Sequence, residues 1–316
     1  MSAEGVRERL VARARLLERC RHFFAERGVL EVETPILCQT TVTDVHLASL
    51  ETRLAGRPRP YYLQTSPEYA MKRLLAAGSG DIYQTCKVFR DDESGRHHNP
   101  EFTLLEWYRL GFDHHQLMDE VQALLQTLLA ERLNAPAERL SYRDAFLREL
   151  AVDPYTASLA ALAEIARERL GAREFSAERD TLLDLLMGAL VGPALGAERI
   201  TFVHDYPASQ AALARCLPGT PALAARFEAY VGGVELCNGF HELADAAEQR
   251  RRFEADRAAR AARGLPLPPL DERLLAALAR GLPDCAGVAL GLDRVLMLAT
   301  GSDSLAGVLA FTIDEA

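Results

Sequence analysis

The chain has 316 residues, with 36 lysines and arginines against 45 aspartates and glutamates, which gives a formal net charge of −9. Hydrophobic residues make up 49% and charged residues 26%, an ordinary globular composition that excludes collagen-like, mucin-like and broadly disordered chains. We expect a single domain over residues 1–316, since the length suits one large domain. The acidic balance disfavours a broad nucleic-acid footprint.

Targeting and redox signals indicate a cytoplasmic protein. The N-terminal segment is charged throughout and contains no apolar signal sequence. No apolar run along the chain is long enough to predict a membrane span. The six cysteines are dispersed without a CxxC pair, which argues against a zinc ribbon or a disulfide framework and for reduced thiols.

Helix and strand patterns are interspersed along the chain. Hydrophobic spacing predicts helices over residues 6–28, 67–77, 115–132, 158–170, 178–191, 244–263 and 271–281. Strand patterns occupy residues 29–35, 60–64, 82–90, 102–110, 200–207 and most of 226–243, and residues 287–298 predict a strand that turns into a helix. Strands and helices do not alternate one for one, so an α+β fold with an antiparallel sheet flanked by helices is favoured over a parallel barrel.

Two arginines stand where the chain leaves a predicted strand. Arg90 follows a strand at the start of the charged loop in residues 89–102, and an arginine fixed by a sheet can hold a phosphate oxygen through two parallel donors. Arg294 opens a helix after the glycine-rich residues 287–291, where a backbone can approach an anionic ligand closely. Each stretch alone is equally well explained as a solvated loop or a tightly packed turn.

Two glutamates form a third candidate site. Glu235 and Glu242 lie seven residues apart, and Asn238–Gly239 predicts a turn between them. Two carboxylates on one side of such a hairpin could hold Mg²⁺ together with a polyphosphate. In isolation, an edge hairpin with two solvated glutamates is the favoured explanation of this stretch.

Together and in this order, these stretches closely resemble the signature motifs of class II aminoacyl-tRNA synthetases, specifically those of the lysyl branch. The matching segments are FFAERGVLEVETPIL (23–37) for motif 1 with its proline Pro35, FRDDE…HHNPEFTLLEWY (89–108) for motif 2, GVALGLDR (287–294) for motif 3, and the lysyl-type TSPEYAMKRLL (65–75) and VELCNGFHELADAAEQ (234–249). The resemblance covers about residues 10–315 and implies the α+β catalytic domain of that class.

Domain organisation distinguishes between two families with lysyl-type motifs. A lysyl-tRNA synthetase carries an anticodon-reading OB-fold domain ahead of motif 1. Motif 1 begins here at residue 23, so we expect a catalytic domain without that anticodon-binding domain. A lysyl-type catalytic domain alone resembles the elongation factor P–(R)-β-lysine ligases. Three positions favour that family over a shortened synthetase. Ala289 occupies the position of the middle glycine of motif 3, Ser66 stands where the synthetases have alanine, and His241 stands where they have serine.

The implied activity is ATP-dependent and AMP-forming. (R)-β-lysine is activated as an aminoacyl-adenylate and transferred to the ε-amino group of a specific lysine of elongation factor P, so ATP, β-lysine and that protein are the expected partners. Charging of tRNA by a truncated lysyl-tRNA synthetase paralogue and amino-acid sensing without catalysis are the alternatives. Motif 1 forms the dimer interface in this class, so a homodimer is expected.

The resemblance also implies the site residues. Arg90 and Arg294 are expected to act in catalysis, on the α-phosphate and near the γ-phosphate of ATP. The further ATP contacts carried over are Asp91, Asp92, Asn99, Glu235, Leu236 and Gly291. The substrate-binding residues carried over are Ser66, Pro67, Glu68, Tyr108 and Glu242, and the Mg²⁺ ligands are Glu235 and Glu242.

Two positions stay open. The family reads FRNE where this chain reads FRDDE, so either Asp92 reaches the nucleotide or Glu93 takes its place. The arginine-rich helix predicted over 244–263 is either a solvated face balanced by its own glutamates or a docking surface for an acidic protein. Trp107 and Phe240 are interpreted as packing residues.

Overall fold

Residues 3–91, 94–171 and 178–316 are described in the computed structural model of the chain. The α-helices are α1 (Ala3–Ala25), α2 (Glu68–Ala76), α3 (His114–Leu129), α4 (Tyr142–Leu150), α5 (Leu159–Leu170), α6 (Arg179–Leu186), α7 (Ala246–Ala262), α8 (Glu272–Arg280) and α9 (Leu292–Thr300). The strands are β1 (Leu30–Glu31), β2 (Leu37–Cys38), β3 (Glu51–Thr52), β4 (Tyr61–Leu63), β5 (Ile82–Phe89), β6 (Glu101–Leu110), β7 (Glu138–Ser141), β8 (Thr201–Pro207), β9 (Cys216–Leu217), β10 (Leu223–Val231), β11 (Val234–His241) and β12 (Cys285–Gly291).

The chain divides into two compact units, each described by itself below. Unit 1 comprises Met1–Asp113 and Glu242–Ala316, and unit 2 comprises His114–His241. The expectation of one domain over residues 1–316 stays a prediction. Within the described ranges, no helix is long and apolar enough to cross a membrane. The six cysteines are free thiols.

The main sheet of unit 1 has the strand order β1-β5-β6-β12. β6 pairs antiparallel with β5 on one side and with β12 on the other, as expected for a central strand. β1 joins β5 in parallel at the edge through only two residues, so the strand predicted over 29–35 is much shorter than expected. A second, three-stranded sheet has the order β2-β4-β3.

Helix α1 covers one face of the β5–β6 pair through aromatic packing. The ring of Phe24 stacks on Tyr83 with centroids 4.4 Å apart and meets Trp107 edge-on at 5.3 Å. These rings are buried, and burying each aromatic side chain stabilises the unit by about 1.5–3 kcal/mol. Trp107 is therefore a packing residue, as interpreted from the sequence. Because side chains alternate along a strand, Glu106 and Tyr108 point to the opposite face.

Unit 2 carries a sheet with the strand order β11-β10-β8-β7, and β9 also pairs with β10. The pairs are antiparallel except β7 with β8. The hairpin between β10 and β11 turns at Gly232–Gly233, where both residues have positive φ (59° and 74°), as a tight primed turn requires. The turn predicted at Asn238–Gly239 is wrong, since both residues lie inside the continuous strand β11.

Helices α4, α5 and α6 pack on the sheet of unit 2. Their core includes Tyr142, Phe146 and Leu162, and Phe240 packs against it from β11 as a packing residue. Helix α4 has no counterpart among the predicted elements. It starts at Ser141, whose side chain accepts the Asp144 N–H, so the Ser-x-x-Asp spacing was the missed signal. The helix predicted over 178–191 ends as α6 at Leu186 and continues as a π-type turn to Val191.

The arginine-rich helix α7 is largely neutralised by its own surroundings. Arg251 and Arg252 both pair with Glu248 on the same helix, and Arg250 pairs with Glu272 on α8 at 2.5 Å. Arg260 is buried and donates to backbone carbonyls. These pairings favour the solvated, charge-balanced face over a docking surface.

Candidate active site

The central strand of unit 1 presents Glu106 and Tyr108 on the face opposite α1. Both side chains are buried, and Glu106 is only 2% exposed. On β12, Ala289 stands opposite Glu106 and Gly287 stands opposite Tyr108. An added Cβ at Gly287 would lie 2.3 Å from a Tyr108 ring carbon and 2.5 Å from Glu242 Oε1, so no larger residue fits there. Ala289 is therefore the cross-strand neighbour of Glu106 on β12.

The start of helix α2 holds Glu106 in place. Ser66 Oγ accepts the backbone N–H of Glu68 at 3.0 Å and donates to Glu106 Oε2 at 2.7 Å. The Tyr108 hydroxyl donates to Glu106 Oε1 at 2.8 Å. Pro67 is the residue before the first helical position, and its carbonyl accepts the first hydrogen bonds of the helix. An alanine in place of Ser66 would remove one of the two hydroxyl groups that fix this carboxyl group.

Lys72 joins the remaining carboxylates of the site. Its ammonium is 1% exposed and lies 2.5 Å from Glu68 Oε1 and 2.6 Å from Glu242 Oε2. Glu68 and Lys72 are four residues apart on α2, the spacing that brings side chains together on one helix face. Glu68, Glu106, Glu242 and Lys72 are called the carboxylate cluster below. With all groups ionised, its net charge is −2.

The pKa values of the cluster reflect this excess of negative charge. Burial disfavours the charged form of Lys72, but the facing Glu242 and Glu68 outweigh it and raise its pKa. Burial, reinforced by the Glu68 carboxylate, raises the pKa of Glu106 to about 7. Burial also raises the pKa of Glu242 to about 8, against the opposing effect of Lys72. Near neutral pH, the cluster therefore holds protons that an incoming cation can displace.

The two candidate catalytic arginines are both fixed by the loop that joins β5 to β6. Arg90 directly follows β5, and its backbone N–H donates to the Pro100 carbonyl at 2.9 Å, while its guanidinium lies 5.1 Å from the Phe102 ring centroid. Arg294 lies in the first turn of α9. Its Nε donates to the His97 carbonyl at 3.2 Å, and its Nη2 lies 2.8 Å from His98 Nε2.

Asp293 positions the segment that carries Arg294. This buried carboxylate bonds Arg13 of α1 at 2.5 Å and accepts the backbone N–H of Thr103 on β6 at 2.7 Å. A buried carboxylate with two such partners ties α1, β6 and α9 together. Sequence reasoning missed Asp293, although it lies inside motif 3.

The other predicted ATP contacts of unit 1 have varied surroundings. The side chain of Asn99 is buried between backbone groups: it donates to the Glu101 carbonyl at 2.6 Å and accepts the Ile313 N–H at 3.1 Å. Asp91 is exposed and its N–H donates to the Ala48 carbonyl. Gly291 ends β12 as the N-cap of α9. The ATP roles of these residues stay predictions.

Asp92 and Glu93 lie outside the described residues, so the choice between them stays open. Glu235 and Leu236 lie on β11 in unit 2. The Leu236 side chain is buried, which leaves its backbone as the group that can contact a nucleotide. Glu235 is half-buried, and its shared Mg²⁺ site with Glu242 stays a prediction.

Glu106 and Lys72 are the site residues that sequence reasoning missed. Glu106 lies two residues before Tyr108 on the same strand, and Lys72 lies four residues after Glu68 on the same helix. Each therefore shares a face with a predicted site residue, so the sequence spacing alone would have indicated both. Their importance depends on burial and on contacts with Glu242, which is distant in the chain.

Comparisons with known proteins identify the family of the chain. The family model for tRNA synthetases class II (D, K and N) matches residues 1–315. Proteins from Salmonella typhi, Salmonella paratyphi B and Salmonella choleraesuis, each named elongation factor P–(R)-β-lysine ligase, are each 54% identical to the chain. Each alignment spans 313 residues, 97% of this chain and 95% of the relative. The predicted fold class is confirmed: the chain belongs to the class II tRNA synthetases of the D, K and N group.

Proposed function

We propose that the chain uses ATP to activate (R)-β-lysine and transfers the β-lysyl group to the ε-amino group of a lysine in elongation factor P. The name and full-length similarity of the relatives support this activity. The observation that carries it is the carboxylate cluster, in which the buried Glu106 and Glu242 and the half-buried Glu68 outnumber the single ammonium group of Lys72. Such a cluster is suited to an amino acid with two ammonium groups, because burying them restores charge balance.

Both chain segments of unit 1, Met1–Asp113 and Glu242–Ala316, contribute residues to the amino-acid subsite. Glu68, Glu106 and Glu242 supply negative charge, while Ser66 and Tyr108 fix Glu106. Since Ala289 lies opposite Glu106, its methyl group narrows the space beside that carboxyl group. This shape favours a substrate whose amino group is displaced by one carbon, as in a β-amino acid.

The first step joins the substrate carboxylate to the α-phosphorus of ATP. An oxygen–phosphorus bond forms, the bond to the bridging oxygen of pyrophosphate breaks, and negative charge grows on the phosphate oxygens. Arg90 and Arg294 supply the fixed positive charge that stabilises such a transition state. The guanidinium of Arg294 is held by the His97 carbonyl, and that of Arg90 lies 5.1 Å from the Phe102 ring centroid.

Mg²⁺ would neutralise phosphate charge in this step. Carboxylate donors suit this ion, and Glu235 and Glu242 are the residues proposed to hold it. Glu242 already faces the Lys72 ammonium at 2.6 Å, and this ammonium repels a divalent ion about twice as strongly as it repels a singly charged substrate ammonium group at the same distance. We therefore assign Glu242 chiefly to the amino-acid subsite and Glu235 to the metal-bound nucleotide.

The second step transfers the acyl group to the protein acceptor. The acceptor amine loses a proton and attacks the adenylate carbonyl carbon. A carbon–nitrogen bond forms as the carbon–oxygen bond to AMP breaks. The product is an amide on the factor and free AMP.

A homodimer through residues 23–37 is part of the proposal. Leu30 is 57% exposed, and Ile36 in the same segment is also exposed. Large apolar side chains exposed together are typical of interaction surfaces.

The experiment is an acceptor competition followed by intact mass. The protein is incubated with ATP, (R)-β-lysine and an equimolar mixture of elongation factor P and lysine tRNA. We expect the mass of the factor to rise by one β-lysyl group and the tRNA to stay uncharged. A factor variant with the acceptor lysine replaced by arginine is the matched control. Charged tRNA beside an unmodified factor would contradict the proposal, and absence of pyrophosphate release with any lysine isomer would favour a sensor.

A further inference from the structure

A second group of ligand-type side chains lies within unit 2, outside the residues assigned above. His114 and His115 stand in the first turn of α3, and Asp205 stands on β8. One donor atom from each of these residues lies within 4.8 Å of the other two. The elements that carry these residues lie about 90 positions apart in the chain, so the tertiary fold brings the three residues together.

The buried imidazole of His114 points into this cluster without satisfying its own nitrogens. The residue is 4% exposed, and its Nε2 lies 3.5 Å from Asp205 Oδ1. Neither ring nitrogen makes a well-aligned hydrogen bond to any residue in the described ranges. Buried polar groups are nearly always paired, so an imidazole in this condition points to a ligand.

Asp205 is held in an uncommon backbone conformation at the same place. Its φ is +60°, a left-handed value that is uncommon outside glycine and that aspartate adopts more readily than most other residues. The Tyr155 hydroxyl donates to its carbonyl at 2.8 Å, and His204 Nδ1 lies 2.9 Å from its Oδ2. The carboxylate is thus fixed and aimed at the histidines.

We propose that His114, His115 and Asp205 bind one divalent transition-metal ion of the Zn²⁺ type. Two imidazole nitrogens and a carboxylate oxygen are ligands that Zn²⁺ accepts, whereas Mg²⁺ and Ca²⁺ prefer oxygen ligands alone. With bonds of about 2.0–2.2 Å, tetrahedral ligands stand about 3.4 Å apart, so donors that lie within 4.8 Å of one another need to close by at most about 1.4 Å.

The ion would join two elements that the chain sequence separates widely. A bond to β8 and two bonds to the start of α3 would fix this edge of the helix on the strand that carries Asp205. His204 lies against the same carboxylate, and the fourth ligand position falls to it or to water. The role is structural, because none of these residues belongs to the proposed amino-acid or nucleotide sites.

Metal binding to the full-length protein tests this proposal. Chelator-treated protein is titrated with Zn²⁺ against a chromophoric chelator, bound metal is counted by mass spectrometry, and Co²⁺ is added as a spectroscopic probe. We expect one tight ion per chain and the visible absorption of tetrahedral Co²⁺. His114→Gln and Asp205→Asn should each weaken Zn²⁺ binding by at least about tenfold, the lower limit for losing even a hydrogen bond that supports a metal ligand.

His22→Gln is the matched control, because its side chain is 74% exposed on α1 in unit 1. This variant should bind Zn²⁺ as tightly as the wild type. Absence of tight binding by the wild type would overturn the proposal and leave a purely ionic His–Asp cluster. Equal weakening of Zn²⁺ binding in all three variants would also overturn the proposal, since it would indicate that the metal binds to exposed histidines and not to this cluster. Circular dichroism verifies the fold of each variant, and should His114→Gln fail to fold, the wild-type stoichiometry and Asp205→Asn still decide.

Discussion

Replacing Glu106 by glutamine should stabilise the substrate-free protein at alkaline pH and weaken amino-acid binding. The pKa of Glu106 is raised from 4.5 to about 7 by burial and by the Glu68 carboxylate. Between these values the folded state keeps a proton that the unfolded state has lost. The stability contribution of this proton is therefore complete below about pH 4.5 and disappears as the pH rises through about 7.

The magnitude follows from the same shift. One pKa unit corresponds to about 1.4 kcal/mol, so the ionised carboxylate costs the folded state about 3 kcal/mol at alkaline pH. Glutamine has the shape of the protonated acid and removes this cost. The glutamine carbonyl oxygen can still accept from one of the two hydroxyl groups, that of Ser66 or that of Tyr108. The other hydroxyl group can rotate and accept an N–H from the glutamine side-chain NH2 group. The free energy of unfolding should rise by up to about 3 kcal/mol at about pH 9 and change little at about pH 5.

Urea unfolding of the substrate-free protein at these two pH values is the assay. Glu101→Gln is the matched control, because Glu101 lies on the same strand with its side chain 46% exposed and its charge paired with Lys87 at 3.2 Å. Its effect should stay within about 1 kcal/mol. In pyrophosphate exchange, Glu106→Gln should raise the KM for β-lysine about 10- to 100-fold, since a hydrogen bond to a charged group is lost. An equal gain at both pH values, or a loss at about pH 9, would refute the reasoning.

Three further predictions address the nucleotide, the amino-acid subsite and the interface. Arg294→Lys should lower kcat for pyrophosphate exchange about 100-fold or more, because a lysine cannot reproduce two parallel donors. Arg53→Lys is the control, since the Arg53 side chain is 74% exposed, and it should leave kcat unchanged. Equal kcat values for Arg294→Lys and the wild type would exclude a role of Arg294 in catalysis. Ala289→Gly should shift the kcat/KM ratio toward α-lysine by about 1–3 kcal/mol, and an unchanged ratio would remove Ala289 from the subsite. Leu30→Glu should convert a dimer to a monomer in sedimentation, and an unchanged mass would place the interface elsewhere.

Much of the candidate site was predictable because motif residues lie next to strong local signals. Ser66 and Pro67 precede a clear helix start, and Tyr108 lies in an apolar strand. In the structure the hydroxyl groups of Ser66 and Tyr108 both donate to the Glu106 carboxyl group of β6. Their roles in binding stay predictions.

The contacts that give the site its charge were not predictable from local pattern. Lys72 reads as an ordinary helical lysine until Glu242 is placed 2.6 Å from it, across a chain separation of 170 residues. Glu106 reads as an ordinary strand residue until burial raises its pKa to about 7. Both properties arise from tertiary packing, which residue spacing alone does not encode.

The misplaced turn in residues 226–243 has a local explanation. Asn238–Gly239 is a strong turn signal, but Gly232–Gly233 is another and stands between two strand patterns of nearly equal length. A two-glycine turn with positive φ matches the twist of the flanking strands and is used here. Strand pairing then carries Asn238 through the sheet, opposite Glu228 on β10.

Proton release on amino-acid binding tests the central claim, that the carboxylate cluster receives the ammonium groups of the substrate. Calorimetric titration of the substrate-free protein with (R)-β-lysine in two buffers of different ionisation enthalpy measures this quantity. With pKa values of about 7 for Glu106 and about 8 for Glu242, an arriving cation should displace about one proton per site at about pH 7. Glu106→Gln should lower the number released. Binding without proton release would contradict the account.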